Sequence, residues 1–97
     1  RARPVDDVIR SAAEVDPVLA AKRAEMHQER LRNLRVFVGW LRANGPLRAG
    51  LDEDEAAVTV WTVTGPDVHR LLVDDLGWDH ERYHAWVHST LEAALLP

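Results

Sequence analysis

The chain has 97 residues, no cysteine and a formal net charge of -4. This length predicts one domain with a core of modest size, to which a partner surface would add stability. The lack of cysteine excludes a disulfide framework and a thiolate metal site. No apolar run approaches the roughly 20 residues of a membrane span. We therefore expect a cytoplasmic protein in which residues 1–97 form a single domain, with no membrane contact and no cofactor.

The charges are unevenly distributed along the chain. Residues 17–50 hold seven basic and two acidic side chains, whereas residues 51–97 hold two basic and ten acidic ones. This asymmetry favours packing of the two halves against each other, and the alternative is a basic face for nucleic acid.

The first half of the chain predicts two helices. Pro4 suits a first helical turn, and apolar residues then recur at helical spacing, so we predict a helix from Pro4 to near Val15. Asp16 and Pro17 match an N-cap followed by the first helical position, and they predict a long helix ending at about Ala43. The sequence Asn-Gly-Pro at residues 44–46 then ends it.

The next segment supports two interpretations. Asp52 followed by Glu55 is the pattern of a reciprocal helix cap. The run VTVWTVTG at residues 58–65 alternates β-branched residues, however, and its composition also suits a strand. We predict a helix here, because the cap, the helical flanks and the resemblance of this part of the chain to a helical family together outweigh the local propensity.

Glycine, proline and aspartate divide the last third into two helices. Gly65-Pro66 opens a helix that Gly77 closes, and Asp79 caps the next one. The second helix carries one wide apolar side. Its members are Tyr83, Trp86, Val87, Thr90, Leu91, Ala94 and Leu95. Two amphipathic helices in succession predict an antiparallel hairpin.

The order of short motifs in this hairpin resembles one protein family. Gly-Pro-Asp is followed by Leu-Leu-Val, Gly-Trp, Glu-Arg-Tyr and Ala-Trp. This order is similar to the C-terminal end of TetR-type transcriptional repressors. The upstream run LRANGPLRAGLDEDEAAVTVW resembles the passage in that family from a long central helix, through a Gly-rich turn, into the next helix.

The resemblance implies an all-α, antiparallel helical domain that binds a small hydrophobic or amphipathic molecule. It also implies a homodimer in which the last two helices of each chain form a four-helix bundle. Operator DNA would be bound only through an N-terminal helix-turn-helix that precedes these residues. The first helices of the family's sensing domain would also be missing, so that the domain is incomplete at its N-terminus. The expected interface residues are Val68, Leu72, Tyr83, Trp86, Val87, Thr90, Leu91 and Ala94.

Three polar residues fall on the apolar side of the long helix, where a core helix would carry aliphatic residues. These are Arg23, His27 and Arg30, and charged groups are seldom buried without a partner. One interpretation is that this face lines a ligand cavity. The alternative is that these arginines are solvated or paired with acids at residues 52–55. The ligand-binding residues predicted by the first interpretation are His27, Arg30, Leu34, Phe37 and Trp61.

The histidines at positions 80, 84 and 88 have the spacing that brings neighbours onto one helical face, as metal ligands require. They lie at the edge of the apolar side and no cysteine accompanies them, so we expect them at the rim of a subunit interface, without a metal.

Trp78 is expected to fill the corner between the last two helices. No catalytic set is recognisable, and the chain is not expected to be an enzyme. The competing function is a small helical adaptor that receives a helix of another protein.

Overall fold

The computed structural model describes residues 3–14 and 16–97, and within them every regular element is helical. The prediction of an all-α protein is confirmed. Helix α1 spans Arg3–Ala13, α2 spans Pro17–Asn44, α3 spans Glu53–Val63, α4 spans Pro66–His69 and α5 spans His80–Leu95. A π-helical segment, Arg70–Asp75, continues α4. The predicted end of the first helix near Val15 lies outside the described residues.

Three aspartates begin helices as the sequence predicts. Asp16 accepts a hydrogen bond from the Val18 amide at 2.9 Å, and Asp52 accepts one from the Glu55 amide at 2.7 Å. Asp79 accepts a hydrogen bond from the amide three residues ahead in α5, at 2.8 Å. Each carboxylate thereby satisfies an amide that has no partner inside its helix.

The β-branched run of residues 58–63 is part of α3, so the choice of helix over strand is confirmed. Its threonines adapt to the helix by donating to carbonyl groups one turn back. Thr59 Oγ1 donates to the Glu55 carbonyl oxygen at 2.9 Å, and Thr62 Oγ1 donates to that of Val58 at 2.8 Å. Helical flanks and tertiary packing thus override the local β propensity.

The helix predicted from Pro66 to Leu76 is not α-helical throughout. After His69 the backbone widens into the π-helical segment, and the Leu76 amide donates to the Leu71 carbonyl oxygen, five residues back, at 3.1 Å. The segment ends where Gly77 adopts a φ of 73°, which suits a residue without a side chain. Hydrophobic spacing does not distinguish this wider turn from an α-helical one.

The core lies where α2, α3 and the end of α5 meet. Val38, Ala56 and Ala57 are completely buried, and small alanine side chains allow α2 and α3 to approach closely. The two helices are antiparallel, because Arg30 contacts Thr64 while Arg35 contacts Asp54. The remaining buried members of the core are Leu31, Leu51, Val60 and Leu95.

The first half of α2 has a different environment from its second half. It packs against α1, and α1 in turn contacts α4. Arg23 and His27, which both belong to this half of α2, contact Asp6 of α1. Helices α1 and α2 therefore meet through polar side chains, whereas the second half of α2 contributes to the apolar core.

Candidate ligand-binding site

A cleft of about 280 Å³ opens between α2, the end of α3 and the beginning of α4. This volume is at the small end of the range of about 300–1,000 Å³ that is usual for ligand sites. We call it the basic cleft. Its lining residues are Arg23, Ala24, His27, Gln28, Arg30, Trp61, Thr62, Gly65, Pro66, Asp67 and Val68.

Trp61 is fixed against α2 by a hydrogen bond and a ring contact. Its indole Nε1 donates to the carbonyl oxygen of His27 at 3.0 Å. The two rings meet edge to face, with centroids 6.3 Å apart. The indole is thus held in one position and presents a rigid aromatic surface at the wall of the basic cleft.

Arg30 crosses from α2 to the end of α3. Its guanidinium donates to the Trp61 carbonyl oxygen and, at 3.3 Å, to Thr64 Oγ1, and its Cζ lies 5.7 Å from the centroid of the indole. A cation beside the last carbonyl groups of a helix is favourable. Burial lowers the pKa of Arg30, and the nearby Asp6 partly opposes this effect. No carboxylate among the described residues forms an ion pair with Arg30.

Asp6 of α1 is buried behind the basic cleft, and two side chains of α2 hold it. Arg23 Nε lies 3.3 Å from Asp6 Oδ1, and His27 Nε2 forms a hydrogen bond of 3.0 Å with the same oxygen. A carboxylate accepts, so this geometry requires the proton of the imidazole on Nε2. Asp6 therefore compensates the charge of Arg23 and orients His27.

A second acidic group lies at the mouth of the basic cleft and is also paired. Arg70 Nη2 donates to Asp67 Oδ1 at 2.5 Å, and this hydrogen bond lowers the pKa of Asp67. The same interaction raises the pKa of Arg70. Arg70 also lies 3.4 Å from Asp7, and Arg23 lies 3.9 Å from Asp67. These ion pairs connect α1, α2 and α4 around the cleft.

The structure brings together three of the five predicted ligand-binding residues. His27, Arg30 and Trp61 all line the basic cleft. Leu34 does not, because it packs against the hydrophobic core. Phe37 is also separate: it lies further along α2, 48% exposed, and stacks on Trp40 with centroids 6.5 Å apart. The five residues therefore do not line one concave surface, because the core closes between Arg30 and Phe37.

Phe37 instead lines a second concave surface, which we call the apolar groove. It lies between the C-terminal ends of α2 and α5 and has a volume of about 570 Å³. Its lining is almost entirely apolar. The residues are Phe37, Leu41, Asn44, Gly45, Pro46, Leu47, His88, Leu91, Glu92, Leu95 and Leu96.

The predicted interface residues divide into two groups. Tyr83 is buried, and Leu91 and Ala94 pack against the core of their own chain. The others are half-buried and retain surface for a partner. This second group consists of Val68, Leu72, Trp86, Val87 and Thr90.

The sequence places Leu71 and Leu76 on the apolar side of a helix that is predicted to pair, but neither is among the expected interface residues. They are 56% and 64% exposed, respectively. In an α-helix, residues five apart point in different directions, but the π-helical hydrogen bond from Leu76 to Leu71 places them one turn apart on the same side. The two leucines are visible in the sequence, but the π-helical turn that aligns them is not.

Among the histidines of the last helix, His80 and His84 form ring contacts and His88 lies beside a carboxylate. His80 and His84 have centroids 5.9 Å apart, and His88 lies 3.7 Å from Glu92. Within residues 3–14 and 16–97, no three metal-binding side chains are arranged to hold an ion. Trp78 lies at the corner before α5, with its ring 6.4 Å from that of Trp86 and the Arg82 guanidinium 4.2 Å above it.

Comparison of the chain with family models, with curated proteins and with solved structures found no match. Among the described residues, no helix has both the length and the apolar character that crossing a membrane requires.

Proposed function

We propose that this chain is the ligand-sensing and dimerisation domain of a TetR-type transcriptional repressor. The observation that carries this proposal is the convergence of His27, Arg30 and Trp61 on one cleft between three helices. A concave site in which an aromatic wall and polar side chains converge is a common setting for small-molecule binding. The proposal assigns no catalytic step to the cleft.

A structural change caused by ligand binding would reach the dimer interface through α4 and the π-helical segment. Pro66 and Val68 line the basic cleft, whereas Leu71 and Leu76, a turn or two further along, are exposed. A ligand that moves the start of this element also moves its exposed leucines. Pairing of two chains through this surface and α5 would carry that movement to the DNA-reading heads of the family, which bind successive operator half-sites.

Blocking the cleft tests the ligand-binding part of the proposal. Ala24 is exposed at the cleft wall, and Ala24→Phe would fill the cleft without replacing a polar contact. Ala43→Phe, near the exposed end of the same helix, is the matched control. Thermal unfolding is measured with a panel of hydrophobic and amphipathic small molecules.

We expect some compounds to raise the Tm of the wild type and of Ala43→Phe but not that of Ala24→Phe. A ligand at a hundred times its Kd stabilises the folded state by about 2.7 kcal/mol, or roughly 10 °C or more for a domain of this size. Equal shifts in all three proteins, or no shift in any, would count against a ligand site in the cleft.

The competing function is an adaptor without ligand sensing. The two functions predict different genes. The gene of a regulator encodes a helix-turn-helix in the same reading frame, upstream of these residues. An open reading frame without that motif would favour the adaptor.

A further inference from the structure

We propose that the basic cleft selects small amphipathic carboxylates, an inference that rests on the proposed ligand-sensing function. Arg30 binds the carboxylate, and Trp61 contacts the apolar part of the ligand. The charges around the cleft provide the first argument. Arg23 is compensated by the buried Asp6, and Asp67 is compensated by Arg70. Arg30 remains as the cleft-lining cation that makes no ion pair within the described residues.

The hydrogen-bonding capacity of Arg30 provides the second argument. A guanidinium has five N–H donors, and its fork matches the two oxygens of a carboxylate. The structure uses one donor on the Trp61 carbonyl and one on Thr64. Three donors are therefore left for a ligand, while the two existing hydrogen bonds hold the guanidinium in place. A group fixed in this way loses little conformational entropy on binding.

Partial burial of Arg30 strengthens the preference for an anion. Removal from water disfavours the charged form of the guanidinium, and this lowers its pKa. A carboxylate in the cleft would restore the lost electrostatic stabilisation, and a neutral ligand would not. Asp6 is engaged by Arg23 and His27, and Asp67 is engaged by Arg70, so neither carboxylate forms an ion pair with Arg30.

The rest of the lining determines the remainder of the ligand. Ala24, Pro66 and Val68 add apolar surface beside the indole of Trp61. The small volume of the cleft favours a compact molecule with one ring or a short chain. An arylacetic acid has this combination of one carboxylate and one apolar group.

The test compares phenylacetate with phenylacetamide, which has nearly the same shape but no charge. Binding to the whole protein is measured by isothermal titration at millimolar ligand. We expect the acid to bind the wild type about tenfold or more tightly than the amide, because hydrogen bonds to charged groups are stronger than neutral ones.

Variants separate the proposed role of Arg30 from a purely structural one. In Arg30→Gln the preference for the acid should disappear. In Arg32→Gln, which removes an exposed arginine of the same helix that pairs with Glu29, the preference should persist. If Arg30 had only a structural role, Arg30→Gln would change the Tm and leave the ratio of acid to amide affinity as it is in the wild type.

Three results would overturn the inference. Equal binding of acid and amide to the wild type would show a ligand site without a preference for anions. That result would contradict the selection of carboxylates but not the proposed ligand-sensing function. Binding of neither compound would overturn it as well, and the blocking variant Ala24→Phe then tests the proposed function independently. Competition by inorganic phosphate as strong as that by phenylacetate would show a site for anions in general.

Discussion

Asp6 is a buried acidic residue in a protein whose other acidic residues lie mostly at the surface. The residue is 5% exposed, and its carboxylate is held by Arg23 and His27, 17 and 21 positions further along the chain. An unpaired charge at such a position would be costly, so these contacts both stabilise the carboxylate and fasten α1 to α2.

We expect Asp6→Asn to lower the free energy of unfolding by about 1–3 kcal/mol, because it leaves Arg23 without its closest anion while keeping the shape of the side chain. Urea unfolding measures the change. The control is Glu14→Gln, which removes an exposed carboxylate 3.9 Å from the half-buried Arg10 and should change the stability by less than about 0.5 kcal/mol. Equal effects of the two variants would refute the special role of Asp6.

The pKa of Asp67 gives a second prediction at this scale. Because the Arg70 guanidinium holds that pKa below its ordinary value, the interaction stabilises the fold at pH values above the ordinary aspartate pKa. This stabilisation is lost as the pH falls through the lowered pKa. In Arg70→Met the pKa should rise towards the ordinary value, as NMR titration of the Asp67 carboxyl carbon would show. An unchanged pKa in the variant would mean that Arg70 does not cause the shift.

At the scale of the elements, the junction of α3 and α4 shapes the basic cleft. Gly65 is buried there, and a Cβ added to it would lie 3.1 Å from both Arg30 Nη2 and the Trp61 carbonyl oxygen. The arginine side chain can move away from such a contact more easily than the backbone carbonyl can. The absence of a side chain at position 65 therefore allows the guanidinium to reach the end of α3.

Gly65→Ala should destabilise the protein by about 1 kcal/mol or more, because the added methyl group overpacks this junction. Gly45→Ala is the control: Gly45 has an extended backbone with no atom within 4 Å of the added carbon, and the change there should be neutral or slightly stabilising. Thermal unfolding compares the two variants. A Gly65→Ala protein as stable as the wild type would show that Arg30 is not confined by this contact.

The helices were predictable from the sequence to a greater extent than the site. Asp16, Asp52 and Asp79 cap helices through local hydrogen bonds, so that their spacing alone locates the helix starts. The π-helical segment was not predictable, because leucine spacing is compatible with more than one kind of turn. Asp6 is buried by contacts with residues far along the chain, so no local sequence pattern predicts its burial.

The site was partly predictable for a similar reason. His27 and Arg30 stand out on an apolar helical face, so a ligand cavity there was one of the two interpretations that the sequence allowed. Leu34 and Phe37 continue the same face, but periodicity does not reveal where the core closes around the helix. Packing with α3 and α5 determines that boundary.

At the scale of the whole molecule, the chain is extended for its length. Its radius of gyration is 15.1 Å, whereas a compact domain of this length would have about 12.5 Å. Val38 is the largest side chain that is completely buried within the described residues. A thin molecule with a small core and exposed leucines gains stability when a second copy covers part of its surface.

The interface can be tested without disturbing the core. Leu91 packs inside its own chain, so a charged residue there would affect folding as well as pairing. Leu71 and Leu76 are more exposed, and replacing both with glutamate introduces charge only where the partner is proposed to bind. Val36→Glu, at a position that is 75% exposed on α2, is the matched control for the added charge.

The most direct test of pairing is the molar mass of the protein in solution, measured by light scattering after gel filtration. We predict the mass of two chains for the wild type and for Val36→Glu, and the mass of one folded chain for the Leu71→Glu, Leu76→Glu variant. An unpartnered charge in the interface costs several kcal/mol, which is enough to separate the chains. A wild type with the mass of one chain, or a double variant that remains folded with the mass of two, would contradict the account.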